Sequence, residues 1–258
     1  MLDNIKIENI LFLDIETVPA YSKYSDVPKP LQQLWDKKAG FLSTRTVFLQ
    51  EPMQKDKQTP EDLYERAGIY AEFGKIICIS VGYVKNDNPA SGTQSKLEFR
   101  TKSFYGDDER ELLSRFIELL NNYYSKSQHV LCAHNGKEFD FPYLARRILI
   151  NGLKLPETLN IAGKKPWEIA HLDTMELWKF GDYKNYTSLN LLASIFNIQT
   201  PKDDIDGSDV ARVYWKENDL DRIVKYCQKD VLTVVQLLLK FRGEPLIDET
   251  KIINVSSI

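Results

Sequence analysis

Residues 10–17, Ile-Leu-Phe-Leu-Asp-Ile-Glu-Thr, begin as a buried β-strand and then depart from that pattern. The run Ile10–Leu13 is apolar at every position, as expected of a strand covered on both faces. Asp14 and Glu16 then come two residues apart. Side chains alternate across a strand, so these two carboxylates point to the same side. Like charges on one face, at the end of an apolar strand, repel each other and resist desolvation. A local inconsistency of this kind marks a functional site, because something outside the chain must offset it. One divalent cation, or two, is the simplest compensation.

The rest of the chain narrows the alternatives. At 258 residues and 43% hydrophobic content it is long enough for one large domain, or one domain with an embellishment. No apolar run approaches transmembrane length. The N-terminal Met1–Lys6 lacks the charged-then-apolar pattern of a signal peptide, so a cytoplasmic location is expected. Cys78, Cys132 and Cys227 form no CxxC pair and read as reduced packing residues. His129, His134 and His171 lack paired zinc-ligand spacing. Neither a GxxxxGK phosphate loop nor a G-x-S-x-G elbow is present. The net charge of −3 and the pI near 5.8 argue against a nucleic-acid binder held by bulk charge, but leave room for a metal site that grips phosphate locally.

Periodicity gives a strand over 9–17, then a long connection over 18–74 with helices near Leu31–Lys38 and Pro60–Glu72. Lys75–Lys85 and Lys96–Tyr105 read as a hairpin around a turn at Asn86–Ser95. Asp107–Tyr124 is an amphipathic helix, His129–His134 a short strand, and Glu138–Asn151 a helix stopped by Asn151-Gly152. His171–Phe180 fits a strand or a helix. Ser188–Phe196 and Ser208–Asn218 are helical, with a loop over Thr200–Gly207 between them, and Asp219–Arg242 is a long helix with an apolar stripe. The tail from Gly243 is loose or forms a final strand. Strands come first and helices dominate later, which gives an α/β or α+β class.

Three segments carry chemistry. The first is Asp14-Ile15-Glu16. The second is Asn135-Gly136-Lys137-Glu138-Phe139-Asp140, where Asp140 falls in the first turn of a helix, near the positive end of its dipole. The third is Tyr226-Cys227-Gln228-Lys229-Asp230, where Tyr226 and Asp230 share a helix face beside the apolar stripe. Singly, each has an ordinary structural explanation. Together they supply four carboxylates from three distant segments, an oxygen-rich set suited to Mg²⁺ or Mn²⁺. Two such ions about 4 Å apart activate a water and stabilise a leaving oxygen.

DIET at 14–17, NGKEFD at 135–140 and YCQKD at 226–230, in that order, resemble the three motifs of the DEDD superfamily of 3′–5′ exonucleases. Tyrosine four residues before the last aspartate resembles the tyrosine branch. YTSLNLLASIFNI and YCQKDVLTVVQLL are similar to the final third of the proofreading exonuclease domain of family-B DNA polymerases. The chain is short for a polymerase and resembles stand-alone bacterial proteins related to that domain. The likeness covers roughly 9–242 and implies a ribonuclease-H-like fold: a mixed five-stranded sheet flanked by helices, in a single domain over 1–258 with 18–74 as an extended insertion.

The resemblance also implies roles. Asp14 would bridge two divalent cations, Mg²⁺ or Mn²⁺. Glu16 and Asp230 would complete the shell on the nucleophile side, and Asp140 would hold the second ion. Tyr226 would orient the attacking water or the scissile phosphate. Asn135, Phe139 and Thr17 would lie along the substrate strand. The expected reaction is metal-dependent removal of nucleoside 5′-monophosphates from the 3′ end of single-stranded DNA. An exoribonuclease with the same site, or a nucleic-acid-binding module without turnover, are the rivals. The aromatics Tyr21, Tyr24, Trp35, Phe41 and Phe48 of the insertion are expected mostly to pack as core. Lys137, Arg146, Lys184 and Lys202 are candidate phosphate contacts whose default is solvated surface. Asp173 is expected to be structural or to support the site, and His134 to be a strand-end residue.

Overall fold

The computed structural model describes residues 2–47, 58–86, 97–182, 186–199 and 205–255. Phe48, Lys184, Lys202 and the turn expected before Leu97 lie outside them. The strands are β1 (Ile10–Pro19), β2 (Gly74–Asn86), β3 (Leu97–Tyr105), β4 (Val130–Ala133), β5 (Leu172–Asp173) and β6 (Ile252–Asn254). The helices are α1 (Lys29–Val47), α2 (Glu109–Tyr123), α3 (Asp140–Ile150), α4 (Thr174–Lys179), α5 (Leu189–Ile195), α6 (Val210–Arg212) and α7 (Leu220–Phe241). Among the described residues the strands form a mixed six-stranded sheet in the order β5-β4-β1-β2-β3-β6, one strand more than the resemblance implies. The extra strand is β6, which pairs parallel to β3 through Phe99, Arg100 and Thr101.

β1 lies inside the sheet, antiparallel to β2 and parallel to β4. Its two faces serve two cores. Leu11, Leu13 and Ile15 pack with Leu112, Phe116 and Leu120 of α2 and with Phe141, Leu144 and Ile148 of α3. Ile10 and Phe12 pack with Val231, Val234, Val235 and Leu238 of α7. Burial on both faces is why Ile10–Leu13 reads as a continuous apolar run. The alternation that puts Ile10 and Phe12 against α7 carries Asp14 and Glu16 toward the same helix.

A buried ion pair locks the other face. Arg147 Nε donates to Glu109 Oε1 at 2.8 Å, and its Nη1 donates to the Ala71 carbonyl at 2.8 Å. Glu109 also accepts from Ile76 N and from Asn151 Nδ2. Glu109 thereby ties α2 to α3 and the start of β2, and Arg147 adds the end of the insertion.

The insertion folds around Trp35, which is fully buried and donates from Nε1 to the Pro60 carbonyl at 2.7 Å. Tyr21, Tyr24, Tyr64 and Phe73 surround it, so most of its aromatics are core, while Phe41 is exposed. The helix expected over Pro60–Glu72 is a turn leading into a 3₁₀-helix, Tyr64–Ile69. The start signal is present, since Thr59 and Asp62 exchange hydrogen bonds. Gly68 then sits so close to β1 that a Cβ there would be 3.0 Å from the Val18 carbonyl carbon. Packing against β1 thus sets the backbone here.

Other boundaries also differ from expectation: the helix expected near Leu31–Lys38 runs from Lys29 to Val47. α3 begins at Asp140, two residues late, because the preceding turn is pinned from outside: Asp173 accepts from Asn135 N at 2.9 Å and from Lys137 N at 3.1 Å. His171–Phe180 is both a strand and a helix, β5 running into α4 with Asp173 as the cap. The segment expected as one helix before α7 is α6 continued by a π-helical turn, Val213–Glu217, ending at Asn218 with φ 54°. No described helix is long and apolar enough to cross a membrane.

Candidate active site

The carboxylates meet where β1 leaves the core beneath α7. Asp14 stands opposite Ser80 of β2 and Glu16 opposite Cys78, and the register slips between Glu16 and Thr17. A bulge at that point turns the strand and re-aims the side chains beyond it. Glu16 is 7% exposed and Asp140, at the first position of α3, 3%. Asp140 accepts a hydrogen bond from the Ile15 backbone N–H, which fastens α3 to β1. Its Oδ1 is buried without a hydrogen-bond partner.

The electrostatics reflect this crowding. Burial, and then Asp140 and Asp230, raise the Asp14 carboxyl well above its usual range. Burial, then Asp14 and Asp230, do the same to Glu16. Asp140 is pushed up to about 7, chiefly by burial. Neighbouring carboxyls that resist ionisation, one with an orphaned oxygen, leave an unmet demand that a counter-charge would satisfy. The oxygen donors fit a hard divalent cation.

Tyr226 donates its hydroxyl to Asp230, and burial together with Asp230, Glu16 and Asp14 holds that hydroxyl neutral far above its ordinary range. A hydroxyl so held can donate a hydrogen bond but does not act as a base near neutral pH. The structure therefore gathers Asp14, Glu16, Asp140, Tyr226 and Asp230. The three expected substrate residues sit around them in different roles. Asn135 adopts a left-handed φ of 64°, with its Oδ1 buried and unpartnered. Phe139 packs on Tyr143, ring centroids 5.3 Å apart. Thr17 hydrogen-bonds to the Tyr143 hydroxyl, which itself donates to the Gly68 carbonyl at 2.7 Å.

Two supports behave as the sequence suggests. Asp173 both caps α4, through Met175 N at 2.9 Å, and ties the Asn135–Lys137 turn. His134 is satisfied by Thr174 Oγ1 and the Thr187 carbonyl, each at 2.9 Å, and burial lowers its pKa. Lys137, a candidate phosphate contact, instead pairs with Glu176 at 2.6 Å.

Sequence reasoning misses Cys227. Its Sγ donates to Asp14 Oδ2 at 3.3 Å and to the Asp14 carbonyl at 3.4 Å. Ligating atoms of Asp14, Glu16 and Cys227 lie within 4.8 Å of one another. A signal exists: Cys227 lies between Tyr226 and Asp230 on a helix whose neighbouring face is chemical. Ser80 and Ser103, 2.8 Å apart, and Gln228, whose Nε2 donates to Ser103 at 2.9 Å, extend the polar row from Asp14 under α7. No short motif announces them.

The family described as predicted 3′–5′ exonuclease related to the exonuclease domain of PolB matches residues 69–247. The chain belongs to this family. The matched span holds Asp140, Tyr226 and Asp230; β1 with Asp14 and Glu16 lies before it and joins the site through the fold. A DNA polymerase of Pyrococcus glycovorans is 23% identical over 226 residues, 78% of this chain and 28% of the polymerase. One from Pyrococcus horikoshii is 25% identical over 182 residues, 66% of this chain and 14% of the polymerase. The family B DNA polymerase structure from Pyrobaculum calidifontis superposes with a TM-score of 0.53 at 14% identity, over 90% of this chain and 24% of that one. The chain thus spans between a seventh and just over a quarter of the length of these relatives.

Proposed function

We propose that this chain is a 3′–5′ exonuclease of the tyrosine branch, on a ribonuclease-H-like sheet, releasing nucleoside 5′-monophosphates from single-stranded DNA 3′ ends. The observation that carries the reading is the convergence of Asp14, Glu16, Asp140 and Asp230 from three elements into one cluster, with Glu16 and Asp140 buried and Asp14 and Asp230 half-buried, in which the carboxyls of Asp14, Glu16 and Asp140 are all raised. Family membership supports it.

Asp14, Glu16, Asp140 and Asp230 would hold two divalent cations, Mg²⁺ or Mn²⁺. Such ions, when bound, lower the pKa of a water and stabilise the departing 3′-oxygen. The chain does the rest. Asp140 is held for the task by the Ile15 N–H, with its Oδ1 left open. Tyr226, freed from Asp230 when that carboxylate is engaged, presents a neutral O–H that can orient the attacking water or a phosphate oxygen. Asn135, Phe139 and Thr17 form the flank along which the terminal nucleotides would lie.

The test is a time course on 5′-labelled single-stranded DNA and RNA of equal sequence, with Mg²⁺ or Mn²⁺, with EDTA, and with Asp14→Ala. A metal-dependent ladder shortening from the 3′ end, absent in the variant, is the expected result, with DNA the faster substrate. Faster RNA cleavage would move the assignment to an exoribonuclease. Binding without any ladder would replace it with a nucleic-acid-binding module.

A further inference from the structure

We propose that Cys227 is a sulfur ligand, and that with Asp14 and Glu16 it takes a thiophilic divalent cation of the zinc class at the same centre as the proposed Mg²⁺ or Mn²⁺. This rests on the metal reading of that site and adds a donor which changes the ions it selects. Hard cations take carboxylates and water, whereas zinc and its congeners favour thiolate.

Three observations converge. Cys227 Sγ is 3.3 Å from Asp14 Oδ2, already in contact with the carboxylate it would share an ion with. The donor atoms of Asp14, Glu16 and Cys227 lie within 4.8 Å of one another. A tetrahedral shell with Zn–S near 2.3 Å and Zn–O near 2.1 Å sets such donors roughly 3.6 Å apart, a spacing that small side-chain rotations reach from the 4.8 Å within which the three already lie. Independently, Asp140 Oδ1 is buried and unpartnered, and Asp140 lies near enough to Asp14 to raise its carboxyl, so an unsatisfied acceptor borders the trio. As the S–metal bond forms, the thiol proton leaves to solvent. Asp14 keeps its place, exchanging a hydrogen bond from Cys227 for a common ion. Cys132 is buried in a different cluster and serves as a control.

Cadmium is the probe, because a cadmium–thiolate bond gives a charge-transfer band in the ultraviolet. The reduced full chain is titrated with CdCl₂, and Mn²⁺ binding is followed in parallel by electron paramagnetic resonance. A band saturating at equimolar cadmium, lost in Cys227→Ser and kept in Cys132→Ser, is expected, together with displacement of Mn²⁺. A wild-type chain that binds Mn²⁺ but shows no band overturns the sulfur ligand and leaves the metal reading standing. A chain that binds neither ion overturns both. A band undiminished in a folded Cys227→Ser overturns the assignment to this cysteine. Should that variant not fold, cadmium NMR of the wild-type chain decides: a sulfur-ligated shift supports the proposal and an all-oxygen shift refutes it.

Discussion

Asp140 offers a quantitative test of the charge frustration at the site. Its carboxyl rises from 3.8 to about 7 in the folded chain, chiefly through burial. Each unit is worth about 1.4 kcal/mol, so ionising Asp140 in the folded state costs about 4 kcal/mol relative to the unfolded chain. Proton linkage gives the sign. Between pH 3.8 and about 7 the folded chain holds a proton that the unfolded chain has lost, so stability falls as pH rises. It is fullest below pH 3.8 as far as this group is concerned. Asp140→Asn removes the ionisation and retains an acceptor for the Ile15 N–H. The assay is urea unfolding in EDTA at a series of pH values. The variant should match wild type at low pH and exceed it by about 4 kcal/mol above about pH 7. Mg²⁺ should narrow that gap by stabilising the wild-type chain. A variant less stable than wild type at about pH 8 in EDTA, or a metal-free wild-type chain that gains stability between about pH 5 and 8 through these carboxyls, would refute the reasoning.

Other outcomes rest on the same geometry. Asp14→Ala should abolish cleavage yet leave the metal-free melting temperature unchanged or higher, since it relieves repulsion on Glu16 and Asp140; calorimetry in EDTA checks this. Tyr226→Phe should slow turnover by about a hundredfold through lost orientation while leaving Mn²⁺ affinity unchanged, read by single-turnover kinetics beside a binding isotherm. Arg147→Ala leaves Glu109 buried without its cation and should cost about 3–5 kcal/mol in chemical denaturation, far from any reacting atom.

Asp14 and Glu16 were legible because they end an apolar strand, whereas Asp140, a helix-start acid, and Asp230, beside a helical apolar stripe, stood out only in combination with them. The Trp35 cluster was legible as composition, since a connection so rich in aromatics must bury them. What escaped depended on partners distant in sequence. Gly68 is shaped by its approach to Val18, and the start of α3 by Asp173, 33 positions after Asp140. The tail from Gly243 reads by sequence as loose or a final strand, and it is the pairing of the three-residue β6 with β3 that decides for the strand. Cys227 reads as packing because a thiol has the same hydrophobic look in a core as in a site; only its distance to Asp14 separates the two.

α7 packs its apolar stripe on Phe12 and carries Tyr226, Cys227 and Asp230 over Asp14 and Glu16. The active centre and the hydrophobic core are therefore two stretches of one interface. The work of crowding like charges together is done once, when α7 docks on the sheet, and would not have to be repeated at each turnover of the proposed reaction. Under the proposed function, a strand end entering this centre would meet donors already in place, and discrimination between substrates would fall to Asn135, Phe139 and Thr17.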